Sequence, residues 1–179
     1  MIIDATDFTD RPYKVPNQEE SRDFTSFIES KEEELGRMIL GNDLYDEFID
    51  ALAGSGSLDQ IYVDLRDGAS YTHNNKAYRY RGWVDMIRPG IFSEWLPNLT
   101  YKLTNIGYVE NNAPDKSDLI EDQYEFRVLH WNNFVRKVGP HVRNGYTCVD
   151  SFYGFMLANE ESYQAWEFTC PKYKNRYDL

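Results

Sequence analysis

A chain of 179 residues that is 41% hydrophobic and 16% aromatic has material for one domain with its own core, and wholesale disorder is excluded. A net charge of −11 argues against binding nucleic-acid backbone or anionic membrane, since both need clustered Lys and Arg. Cys148 and Cys170 form no CxxC pair, so no zinc or thioredoxin signature is present, and they read as two reduced thiols ahead of a disulfide.

Residues 1–16 hold Pro12 and Pro16 without helical periodicity and are expected to form an extended arm. They carry no basic, apolar leader of the secretory kind, and no apolar run in the chain is long enough to span a bilayer. Asn17 is a candidate N-cap for a first helix running to Leu40, with Phe24, Phe27, Ile28, Leu35, Met38 and Ile39 inward. Glu29, Glu32 and Glu33 are assigned to its outer side, and Gly41 stops it. A second helix covers 42–53 on the stripe Leu44, Tyr45, Phe48, Ile49 and Leu52, and a short third covers 58–67. Residues 70–82 change character. Tyr- and Thr-bearing arms flank Asn74-Asn75, and Tyr78 and Tyr80 alternate with Arg79 and Arg81, which predicts a β-hairpin.

From Trp83 to Asn105 apolar residues recur every four positions, but Pro89 and Pro97 lie inside, so this helix should be kinked or split. A loop is expected over 106–117. The clearest helix follows, capped by Asp115 or Ser117, with a seam of Ile120, Tyr124, Val128, Trp131, Val135 and Val138; Gly139-Pro140 ends it. Residues 151–168 are aromatic-rich and partly helical, and a basic, aromatic tail with Lys172, Tyr173, Lys174, Arg176 and Tyr177 reads as a docking arm or a frayed end.

Motifs for chemistry are scarce. The three histidines, His73, His130 and His141, have no second His or Cys at metal-ligand spacing. Nucleophile-elbow, Walker A, zincin and dinucleotide fingerprints are absent. His141, Cys148 and Asp150 lie close in sequence, but a Cys–His–Asp set is defined in space, and they read as an ordinary loop. Asp43, Asp46, Glu47 and Asp50 sit at helical spacing on one face, as a solvated surface, a negative lumen or a contact for a basic partner. The 14 tyrosines and 4 tryptophans suit surfaces covered by a partner, and Tyr71, Tyr78, Tyr80, Trp166, Phe168, Tyr173 and Tyr177 are the candidate interface residues.

The order of features adds a resemblance. The run LGNDLYDEF at 40–48 follows an acidic helix. The arm Tyr78-Arg79-Tyr80-Arg81-Gly82 enters an apolar helix, and Thr104-Asn105-Ile106-Gly107 leads through a loop to the helix containing 123–131. Over 17–138 this succession resembles small head–tail connector or adaptor proteins of tailed bacteriophages. The resemblance implies a non-enzymatic virion subunit, made in the host cytoplasm. It would form a ring, commonly a dodecamer, at the head–tail junction below the portal. Such a ring extends the DNA channel and docks the tail or other neck proteins, with DNA passing unbound and no cofactor. The four carboxylates of the second helix would then face the channel. Ring closure would join two different surfaces of each subunit.

The expected architecture is mainly α: a helical bundle with a small β-hairpin at about 70–82 and extended terminal arms. Its division is 1–16 as arm, 17–145 as adaptor-like domain and 146–179 as aromatic segment and tail. The alternative function is an acidic binding module that sequesters a basic protein.

Overall fold

Helical periodicity is realised almost as the sequence lays it out. A computed structural model describes residues 2–10, 12–13, 22–104, 107–110, 116–143, 146–148 and 151–175. Its elements are α1 (Arg22–Leu40), α2 (Asn42–Ala53), α3 (Gln60–Asp67), β1 (Ser70–His73), β2 (Lys76–Arg79), α4 (Trp83–Thr100), β3 (Tyr101–Thr104), β4 (Gly107–Glu110), α5 (Lys116–Val138), β5 (His141–Arg143), β6 (Tyr146–Cys148) and α6 (Phe152–Ala158). The expected start of the first helix at Asn17 lies outside the described residues. The fold is mainly helical, and each pair of strands is a separate antiparallel hairpin.

The β1–β2 hairpin turns at Asn74-Asn75, whose φ values of 49° and 60° are the left-handed pair that a two-residue type I′ turn requires. Tyr71 pairs with Tyr78 across the ladder, and their rings stack at 5.5 Å. Gly68 and Gly82 have φ of +88° and +96° where the hairpin's two ends cross. A Cβ on Gly68 would come within 2.6 Å of the Gly82 nitrogen, so a side chain there would force the two backbones apart.

The long apolar segment is not split. α4 runs through Pro89 and Pro97 as one helix. Pro89 cannot donate to the carbonyl four residues back, that of Asp85. That carbonyl instead accepts from Lys137 Nζ at 2.8 Å, so a side chain of α5 replaces the missing backbone bond. The β3–β4 and β5–β6 hairpins, where a helix end and loops were expected, are further departures. Their three- and four-residue strands are too short for an alternation pattern to stand out.

The described residues of both terminal segments pack against the body. Ile3 and Phe8 are fully buried, and Asp4 caps a 3₁₀ turn over Ala5–Phe8. Arg88 Nη1 donates to the Asp7 carbonyl at 3.1 Å. At the other end, the final carbonyls of α1, which have no intrahelical donor, are met by the returning chain. Thr169 N donates to Met38 O at 3.0 Å and Glu167 N to Leu40 O at 3.1 Å. Trp166 Nε1 donates to Ile39 O at 2.8 Å. Farther on, Trp131 Nε1 donates to Lys172 O at 2.8 Å, and Asn132 exchanges two hydrogen bonds with the Lys174 backbone. A single core cluster therefore includes Ile3 and Phe8 from the first segment, Trp83, Ile87, Ile91 and Phe134 from the middle, and Phe152, Phe155 and Tyr163 from the last.

Candidate functional site

Two charged surfaces stand out against this frame. The first is the outer face of α2. Leu44, Tyr45 and Phe48 are buried, so helical geometry turns Asp43, Asp46, Glu47 and Asp50 to solvent, and all four are exposed. Asp46 pairs with Arg37 at 2.7 Å, and Arg37 also reaches Glu33 at 2.9 Å. Asp43, Glu47 and Asp50 have no ion pair among the described residues.

The second surface is a cleft of about 410 Å³ lined by Arg79, Tyr80, Arg81, Gly82, Asp85, Met86, Asn133, Arg136, Lys137, Ser151 and Phe152. Strand alternation builds one wall. Tyr80 points inward and donates its hydroxyl to Leu65 O at 3.0 Å, leaving Arg79 and Arg81 exposed on either side. The last turn of α5 builds the other with Arg136 and Lys137, where cations complement the helix dipole. Lys137 pairs with Asp85 at 2.7 Å. Burial pushes its ammonium below the usual lysine range, and the bond to Asp85 works against that shift. Among the described residues Arg136 donates only to Asn133 Oδ1, at 2.9 Å, and Arg79 and Arg81 have no ion pair. Among the described residues, four cations thus face one carboxylate, in a chain whose net charge is −11.

Ser151 lies at the N-cap of α6, but its hydroxyl does not cap the helix. The residue is 5% exposed and its Oγ has no hydrogen-bond partner among the described residues.

The aromatic residues expected at an interface mostly serve the chain's own core. Tyr71 and Tyr80 are 7% and 4% exposed, packed against Phe155 at 5.9 and 4.8 Å. That placement corrects the expectation that they face a partner: the hairpin lies on α6, which covers both rings. Tyr78 is half-buried through its stack on Tyr71. Trp166 and Phe168 are half-buried, 5.5 Å apart, and Phe168 packs on Tyr153 at 5.2 Å. Tyr173 is 51% exposed, and Tyr177 lies outside the described residues. The basic tail is no free arm as far as Lys174, which sits 3.9 Å from the Trp131 ring centroid and 3.0 Å from Glu94.

Two buried titratable groups went unrecognised in the sequence. Glu32, assigned to the outer side of α1, is 1% exposed and accepts from Trp83 Nε1 at 2.8 Å, Ile2 N at 3.1 Å and Ile3 N at 3.4 Å. Burial raises its carboxyl above the ordinary range, against the pull of those donors. The signal was available: Ile28, Glu32, Leu35 and Ile39 follow the spacing of the apolar stripe. His130 is 4% exposed among the rings of Tyr13, Phe92 and Phe126, and neither ring nitrogen has a partner among the described residues. Burial pushes its pKa down to about 4.

Among the described residues no three His, Cys, Asp or Glu side chains converge as a metal site. The backbones of His141 and Cys148 pair across β5–β6, while their side chains and Asp150 lie outside the described residues. No family model matches the chain, and no curated protein or solved structure is similar to it.

Proposed function

We propose that the chain is a virion structural protein: a non-enzymatic head-to-tail adaptor subunit whose copies form a ring below the portal, extend the DNA channel and dock the tail. The observation that carries this reading is the outer face of α2. Asp43, Glu47 and Asp50, exposed and without ion pairs among the described residues, make a negative strip along a helix. A strip of that sign repels passing phosphates and suits a wall along which DNA slides without sticking. The mainly helical fold agrees with the resemblance over 17–138, in which the LGNDLYDEF run follows a long acidic helix directly.

Native mass spectrometry of the chain, alone and mixed with the portal protein of the same genome, tests the proposal. A closed oligomer, free or on the portal, is expected. A monomer indifferent to the portal and to every other virion protein overturns it.

The same strip favours one second reading, a module that sequesters a basic protein. It requires salt-sensitive binding that is abolished when Asp43, Asp46, Glu47 and Asp50 are changed to their amides.

A further inference from the structure

The basic cleft is not accounted for by the adaptor reading, and it has the makings of a built site. Its cations come from two distant stretches, Arg79 and Arg81 beside the hairpin and Arg136 and Lys137 on α5. Folding therefore gathers them against their mutual repulsion. Asp85 offsets only part of that charge, being already engaged with Lys137. Among the described residues the surplus is too large for one carboxylate to neutralise, and arginine's planar donors match phosphate oxygens in paired geometry. Ser151 is the second, independent sign. A buried hydroxyl without a partner among the described residues carries a free-energy cost, and Ser151 is one of the residues that line the cleft. The volume, about 410 Å³, falls in the range of small-molecule pockets, and Met86 and Phe152 supply an apolar side.

We infer that this cleft binds a small phosphate-bearing molecule. Arg79, Arg81 and Arg136 hold the oxygens, Lys137 adds charge, and Ser151 donates its idle proton.

Calorimetric titration of the full chain with inorganic pyrophosphate, adenosine monophosphate and a short single-stranded oligonucleotide tests the inference. Saturable one-to-one binding of at least one of the two small phosphates is expected. Arg79→Gln and Arg136→Gln should each weaken it about tenfold, the scale of one lost charge-assisted hydrogen bond. Ser151→Ala is the discriminating variant. It should weaken binding several-fold while leaving the melting temperature unchanged or higher, because the hydroxyl has no partner to lose. Failure of both small phosphates to bind overturns the inference, as does binding that Arg79→Gln and Arg136→Gln leave intact. Binding of the oligonucleotide alone also overturns it, and reassigns the cleft to a nucleic-acid backbone. None of these outcomes bears on whether the chain forms a ring.

Discussion

Glu32 and His130 are buried with opposite consequences for pH. His130 is pushed down to about 4, so the folded chain binds fewer protons than the unfolded one between that value and the ordinary imidazole range. Its contribution to stability is complete above the ordinary range and is lost as pH falls toward 4. Glu32 is shifted upward, so its contribution is greatest below about 4.5 and declines as pH rises through its raised value. Urea unfolding across this range should show both slopes. His130→Phe should remove the acid-side loss, and Glu32→Gln the decline toward neutral pH; unchanged slopes would contradict these assignments. Glu32→Ala leaves the Trp83 indole and two backbone donors without their acceptor, and should cost about 2–3 kcal/mol at neutral pH. Loosening of the N-terminal segment should accompany it, read as faster proteolysis before residue 10.

Helices α4 and α5 are joined by a substitution of one donor for another. Because Lys137 serves the carbonyl that Pro89 leaves open, the two residues should be energetically coupled. Lys137→Met alone strands both the Asp85 carbonyl and its carboxylate, and should destabilise by about 2 kcal/mol. In a Pro89→Ala background the helix regains its own donor, and the penalty should shrink by about 1 kcal/mol. Equal penalties in the two backgrounds would mean that the carbonyl contact adds nothing. The close crossing of α4 with its neighbours rests on Gly90, where a Cβ would stand 2.9 Å from Leu35 Cδ1 and 3.1 Å from Phe134 Cγ. Gly90→Val should destabilise the fold by about 1–3 kcal/mol through overpacking, read as a lower thermal midpoint.

Across the whole molecule, local chemistry was readable and long-range pairing was not. α2 and the β1–β2 hairpin lie where spacing and turn residues put them, since each depends on neighbours in sequence. The acidic face of α2 was legible for the same reason. The basic cleft was not, because Arg79 and Arg136 meet only after the hairpin and α5 have packed. Proline made α4 look broken, although its remedy sits 48 positions away on another helix. The terminal segments looked like arms because neither has a period of its own; the described part of each is held by donors and acceptors that the rest of the chain leaves open. Trp166→Phe, which removes the donor to Ile39 O, should therefore cost about 1 kcal/mol in a denaturation midpoint. Truncation before residue 166 should cost several times more.

That arrangement sets an order of events during synthesis. The first long helix leaves the ribosome early, yet the amides and indole that complete its far end belong to residues 166, 167 and 169. Until those emerge, the newborn amino half has an unfinished seam, and a nascent chain arrested before them should be cut by protease far more readily than one arrested well after. What is translated first is thus locked last.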